Sequence, residues 1–127
     1  HNLLTNSGRD WMHAQVYTNT AVGTRGAGYI GLSANAAAPA ATDTTLTGEI
    51  TTGGLARVDA GTKTHTGGTN STTIQHTFTA SAVHTAVVKA SLFNAASSVY
   101  MAHINTFTAV TLQASDTLQV TWTVTLG

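Results

Sequence analysis

The chain has no cysteine, a single proline (Pro39) and few charges, with Asp, Glu, Lys and Arg together making up 8% of its 127 residues. Without cysteine there is no disulfide framework and no thiolate chemistry, and every redox compartment stays open. The charged share compares with a usual figure of about 25%, and the formal net charge is +0. Such a surface supplies no steering field toward nucleic acid or an anionic membrane, so neither is an expected partner. It also does little to keep free copies of the chain apart. No apolar run of about 18 residues occurs, so no membrane-spanning helix is expected. No signal peptide is visible. The chain opens on His1, and initiator methionine is not normally removed before so bulky a residue, so missing leading residues or a cut end are expected.

Threonine takes the place of the charges: it is the commonest residue, followed by alanine, with 12 glycines besides. This suits a protein packed at high copy number against neighbours, where long charged side chains would cost entropy to immobilise. A chain of this length buries one core without a covalent staple, so residues 1–127 are read as a single β-rich domain.

Near the start, Ser7 and Asp10 have capping-box spacing, with Asp in place of Glu, and Leu4, Trp11 and Ala14 fall on one side at helical spacing. A short N-terminal helix is expected, and residues 1–15 form a candidate docking segment. Residues 18–28 read as a Thr/Gly loop, and Tyr29-Ile30-Gly31-Leu32-Ser33 as a strand. After an alanine-rich linker around Pro39, Leu46 and Ile50 stand four apart behind Thr42 or Asp43 as a cap. That predicts one or two helical turns over 43–50, ended by Gly53-Gly54.

From Leu55 the period becomes two. Residues 55–66 and 72–80 flank Gly67-Gly68-Thr69-Asn70, a hairpin turn cluster. Residues 86–93 and 99–107 flank a second turn cluster at 94–98. In the last strand Leu118, Val120, Trp122, Val124 and Leu126 alternate with Gln119, Thr121, Thr123 and Thr125, one face core and the other a threonine ladder. Five or six strands are expected. The fold class is mainly β: an antiparallel β-sandwich or small barrel with a short N-terminal helix and one short helical turn near 43–50.

Catalysis finds little material. Asp10, Asp43, Glu49, Asp59 and Asp116 are scattered, three of them where caps or turns use them, and no acid/base dyad is expected. His1, His13, His65, His76, His84 and His103 have no metal-ligand spacing, and His65 and His76 fall out of register on the first hairpin. The histidines are read as surface or interface residues, with pH-dependent assembly left open. No Gly-x-Ser-x-Gly elbow or phosphate-binding loop occurs, and Asn70-Ser71-Thr72 is a formal glycosylation sequon. Trp122 is read as core, and Trp11 is left open. No enzyme, cofactor or metal is expected.

The run Tyr29-Ile30-Gly31-Leu32, the stretch from Ala38-Pro39 to Glu49-Ile50, and Gly54-Leu55-Ala56-Arg57 resemble a family of small tailed-bacteriophage structural proteins. Thr77-Phe78-Thr79-Ala80, the turn at 90–96 and the terminal run from Ser115 to Trp122 are similar to the same pattern. The resemblance implies a virion protein, of the capsid decoration (cement) type, on the outer surface of the head. Its partners would be the major capsid protein and copies of itself, as a homotrimer bridging capsomers. On that reading Leu3, Leu4, Trp11 and Met12 are the candidate assembly contacts, laid on the shell or on a sister subunit. A tail or fibre component involved in host attachment is the alternative, and a carbohydrate-binding module is a second. The module would need an exposed aromatic strip, for which the chain has little material.

Overall fold

The computed structural model describes residues 3–18, 26–97 and 100–127. The expected loop at 18–28 lies mostly outside the described residues. So do Val99, at which the second arm of the later hairpin was expected to start, and His1.

Helix α1 spans Asn6–His13. Its cap is Thr5, whose Oγ1 accepts from the Gly8 N–H at 3.1 Å. The expected cap at Ser7 is therefore corrected by two residues, and Asp10 turns its carboxylate to a partner outside the helix. A π turn, Ala14–Thr18, continues the helix.

Seven strands follow: β1 Tyr29–Ser33, β2 Val58–Asp59, β3 Thr62–His65, β4 Ser71–Thr79, β5 His84–Phe93, β6 Met101–Leu112 and β7 Thr117–Thr125. They form two antiparallel sheets, in the orders β2-β1-β5-β6 and β3-β4-β7. The chain is a sandwich, with no closed barrel among the described residues. No helix among them is long and apolar enough to cross a membrane.

Two expectations are corrected by local geometry. The predicted helical turns over 43–50 do not form. Gly48 has φ +67°, a left-handed value no helix interior accepts, and the Ile50 N–H bonds the Leu32 carbonyl at 2.8 Å. This pulls the segment along β1 as near-extended chain, while Asp43 instead closes a turn by accepting from the Ala40 N–H at 2.9 Å. The predicted strand at 55–66 is split in two. The Ala60 N–H bonds the Gly28 carbonyl at 2.8 Å, so Val58 and Asp59 pair with β1 in one sheet while Thr62–His65 pair with β4 in the other.

Strand β5 is buried on both faces from Ala90 to Phe93. Ala90 and Leu92 face the second sheet, with Ile30 and Leu32 opposite them on β1. Phe93 faces the other way and is covered by the chain that precedes β2. There Arg57 lies 3.4 Å from the Phe93 ring centroid and grips Glu49 through two hydrogen bonds of 2.8 and 2.6 Å. Gly54 is required at the base of this layer, because a Cβ there would stand 2.1 Å from the Thr79 carbonyl oxygen.

In the second sheet, Thr72, Ile74, His76 and Phe78 oppose Val124, Trp122, Val120 and Leu118, all on the inner face. The outer face carries Thr73, Gln75, Thr77 and Thr79 beside Thr123, Thr121, Gln119 and Thr117. Gln75 donates to Thr121 across it at 2.8 Å. The threonine ladder read from β7 thus extends across the sheet.

Candidate functional site

The helix packs with its polar side inward. Asp10 and His13, three residues apart and so neighbours on one face, reach across to the β3–β4 hairpin. Asp10 Oδ1 lies 2.8 Å from His65 Nε2, and the carboxylate also accepts from the Gly68 N–H at 3.0 Å. The second nitrogen of His65, Nδ1, lies 2.8 Å from the Ser71 carbonyl. Both partners of this ring are acceptors, an arrangement that favours the charged imidazolium, in which both nitrogens donate. The hydrogen bond to Asp10, then that to Ser71, raise the His65 pKa. The same bond from His65, then the Gly68 N–H, lower that of Asp10.

His13 stacks on His65 with ring centroids 4.2 Å apart and shares a hydrogen bond between Nδ1 and the Thr72 hydroxyl. It is fully buried, and Nε2 has no hydrogen-bond partner among the described residues. Burial, then the charge on His65, push its pKa down. One turn on, the Tyr17 hydroxyl lies 3.2 Å from His103 Nε2. Burial lowers the pKa of His103 and raises that of Tyr17, so both rings stay neutral near neutral pH.

A hydroxyl beside one histidine, and a second histidine beside a carboxylate, have the parts of a nucleophilic site but not its wiring. The two imidazoles are stacked and not hydrogen bonded, so no proton passes from Thr72 to Asp10. Both ring nitrogens of His65 are engaged, one by the Asp10 carboxylate and one by the Ser71 carbonyl, which leaves none free to act as a base. Thr72 and His13 are both 0% exposed, which closes the hydroxyl to substrate. Among the described residues no three His, Asp or Glu side chains are placed to hold a metal ion. The cluster is an anchor that fixes α1 to the hairpin.

The reading of the histidines as surface residues is corrected for His13 and His65, and the carboxylate–histidine pair that the sequence did not predict is present. The i, i+3 placement of Asp10 and His13 was the one local signal for it. The remaining acids keep simple roles: Asp116 accepts from Gln113 N–H in a turn, Asp59 pairs with Lys63, and Glu49 with Arg57. His65 and His76 are out of register, as expected: His65 pairs with Thr72 on β4, and His76 with Val120 on β7.

With its polar side anchored, the helix turns its apolar side to solvent. Leu3 is 84% and Trp11 64% exposed, and Leu4, Met12 and Val16 are exposed with them. Trp11 and Met12 stand on the helix, while Leu3 and Leu4 both precede its extended cap Thr5, so the expected alignment of Leu4 with Trp11 at helical spacing does not form. Comparison with family models, with curated proteins and with solved structures finds no match for this chain.

Proposed function

We propose that this chain is a structural virion protein of a tailed phage, a decoration or cement protein that strengthens the head by bridging capsomers. The observation that carries this reading is the inverted helix. A free helix on a soluble domain buries its apolar stripe; α1 buries His13, turns Asp10 to the hairpin and displays Trp11 and Met12, with Leu3 and Leu4 exposed just ahead of it. Exposed apolar side chains grouped on one element mark an interaction surface, and the cluster beneath holds them in place before contact, which lowers the ordering cost of docking. The charge-poor Thr/Gln sheet face suits close packing among neighbours. The resemblance noted in the sequence supplies the particle, with the major capsid protein as the partner of α1.

Particles carrying and lacking the protein test the reading. Hundreds of copies per particle on a stained gel, and heads that burst at lower temperature when the protein is absent, are expected. Add-back of Trp11→Ser, folded by circular dichroism, should fail to restore heat resistance. A few copies per particle, with loss of adsorption and unchanged shell strength, would place the protein in the tail and overturn the proposal.

A further inference from the structure

The two sides of the sandwich end differently. On one side the outermost strands are β2 and β3, of two and four residues. Lys63 of β3 is paired with Asp59, and the π turn packs against β3. On the other side the outermost strands are β6 and β7, of twelve and nine residues. Among the described residues β6 is paired only with β5 and β7 only with β4. Neither strand contains Asp, Glu, Lys, Arg or Pro, the residues by which proteins block an open strand edge. Register shifts that twist an edge away occur in the β5–β6 pair, whereas β7 runs beside β4 through nine pairs without a break.

This side is also not sealed. Phe107, Leu118, Val120 and Trp122 are only partly buried against the core. A small cavity of about 140 Å³ lies between the sheets, lined by Asn105, Thr106 and Phe107 from the middle of β6 and by Val120, Thr121 and Trp122 from the middle of β7. Trp122 Nε1 has no hydrogen-bond partner among the described residues.

We infer that a second copy of this chain pairs along β7, antiparallel, about a two-fold axis through Thr121. This replaces the homotrimer implied by the resemblance with a two-fold contact between copies, and it rests on the sheet edge and not on α1. The sequence of β7 is self-complementary about that point. Reversed upon itself, it sets Thr121 against Thr121, Val120 against Trp122, Gln119 against Thr123, Leu118 against Val124 and Thr117 against Thr125. Apolar meets apolar on the inner face and polar meets polar on the outer one, with an aromatic and a β-branched side chain side by side at the centre. Because the midpoints of β6 and β7 line the same cavity, the axis that pairs β7 with itself also brings β6 up to its own copy. An edge about 30–40 Å long on two sheets about 10 Å apart, about 20 Å thick once the outward side chains of both sheets are included, offers on the order of 600–800 Å² per copy, near the area of a standard stable interface. Neither strand carries a charge to oppose the approach. A three-fold ring would instead set β6 against β7 of the next copy, matching an irregular edge of twelve residues to a regular one of nine.

Sedimentation of the purified full chain across a range of concentrations tests this without any particle present, and a monomer–dimer equilibrium is expected. Thr121→Lys sets two lysines against each other at the axis and is expected to weaken association by about tenfold or more. Thr121→Glu should do the same, and an equimolar mixture of the two should restore the dimer. Thr77→Lys, on the same face but on the central strand, should leave it unchanged. A chain that stays monomeric at every concentration, a trimer, or a Thr121→Lys dimer as tight as the parent would each overturn the proposal, as would a mixture that fails to recover. Particle binding is scored separately, so a monomer that still decorates heads defeats only the edge pairing, and a dimer that does not bind heads defeats only the shell reading.

Discussion

The two edges of the sandwich are made from the same neutral, threonine-rich chain, yet only one is finished. At the β2–β3 side, short strands, the Lys63–Asp59 pair and the Asp10–His65–His13 anchor surround the edge with interactions made within the chain. At the β6–β7 side the edge strands are long, neither contains a charged residue and the apolar side chains between the sheets remain half open. The Lys63–Asp59 and His65–Asp10 pairs thus lie where the monomer is complete by itself, and β6 and β7 contain no charged residue. A side that lacks them is a side that another molecule can finish.

The largest expected effect comes from truncating the core on the two sides of that comparison. Ile74 is fully buried at the centre of β4, and Ile74→Ala should cost about 2–5 kcal/mol in urea unfolding, from lost transfer energy and a residual cavity. Val120, two strands from the closed edge, is only partly buried, and Val120→Ala in dilute monomer should cost well under half as much. Equal losses would mean that the open side is sealed in the monomer.

Next in size is the anchor itself. Thr72→Val removes the hydroxyl that meets His13 Nδ1, in a buried ring whose Nε2 already lacks a partner among the described residues, which should cost about 1–3 kcal/mol. Replacing both members, as His13→Leu with Thr72→Val, should recover part of that loss, because no orphaned group then remains. A double variant less stable than Thr72→Val alone would show that the stack on His65, and not the buried polar contact, holds the helix.

How much of this was visible in the sequence follows from the range of the interactions. Strand β1 was legible to the residue and β7 nearly so, since alternation is a local property that one face of a sheet imposes directly. The hairpin turns were legible for the same reason. The break in the predicted strand at 55–66 was not, because it depends on the Gly28 carbonyl, some thirty residues earlier, claiming the Ala60 N–H. Leu46 and Ile50 do have helical spacing; what overrides it is the cover they provide for β1 and β5 and the left-handed turn at Gly48. The anchor brings together Asp10, His13, His65 and Thr72 from elements that share no local pattern. The four candidate contacts Leu3, Leu4, Trp11 and Met12 were selected for apolar character alone. Only the structure shows that the polar side of the same helix is what turns inward.

Most of the protonation chemistry lies at the closed side, with Asp10, His13 and His65, while His103 stands on β6 of the open one. His13 and His103 have pKa values held below the ordinary 6.5. The unfolded chain therefore takes up protons that the folded chain refuses, and stability falls as pH drops below that value. His65 has the opposite sign: its pKa is raised, so its contribution is fully present below 6.5 and is lost as pH rises through its folded value. The lowered pKa of Asp10 gives a contribution present above 3.8 and lost as pH falls through its folded value. His65→Gln should accordingly lower Tm most between these limits and least in alkali. A difference from the parent that stays constant with pH would remove the ion pair from the account of the closed edge.

The smallest effect in the monomer is the one that separates the edges most directly. Thr64 on β3 and Thr123 on β7 are both exposed and both lie on the outer face of their sheet. Lysine at either position should change monomer stability by no more than about 0.5 kcal/mol, as for most surface substitutions. Their effect on association should differ. Thr64→Lys adds a charge to an edge already closed and should leave sedimentation unchanged. Thr123→Lys places its charge opposite Gln119 of the other copy, so it should loosen the dimer, though less than Thr121→Lys, whose charge meets itself. If the two lysines act alike in sedimentation, the edges are equivalent in solution and the difference in their construction has no consequence for assembly.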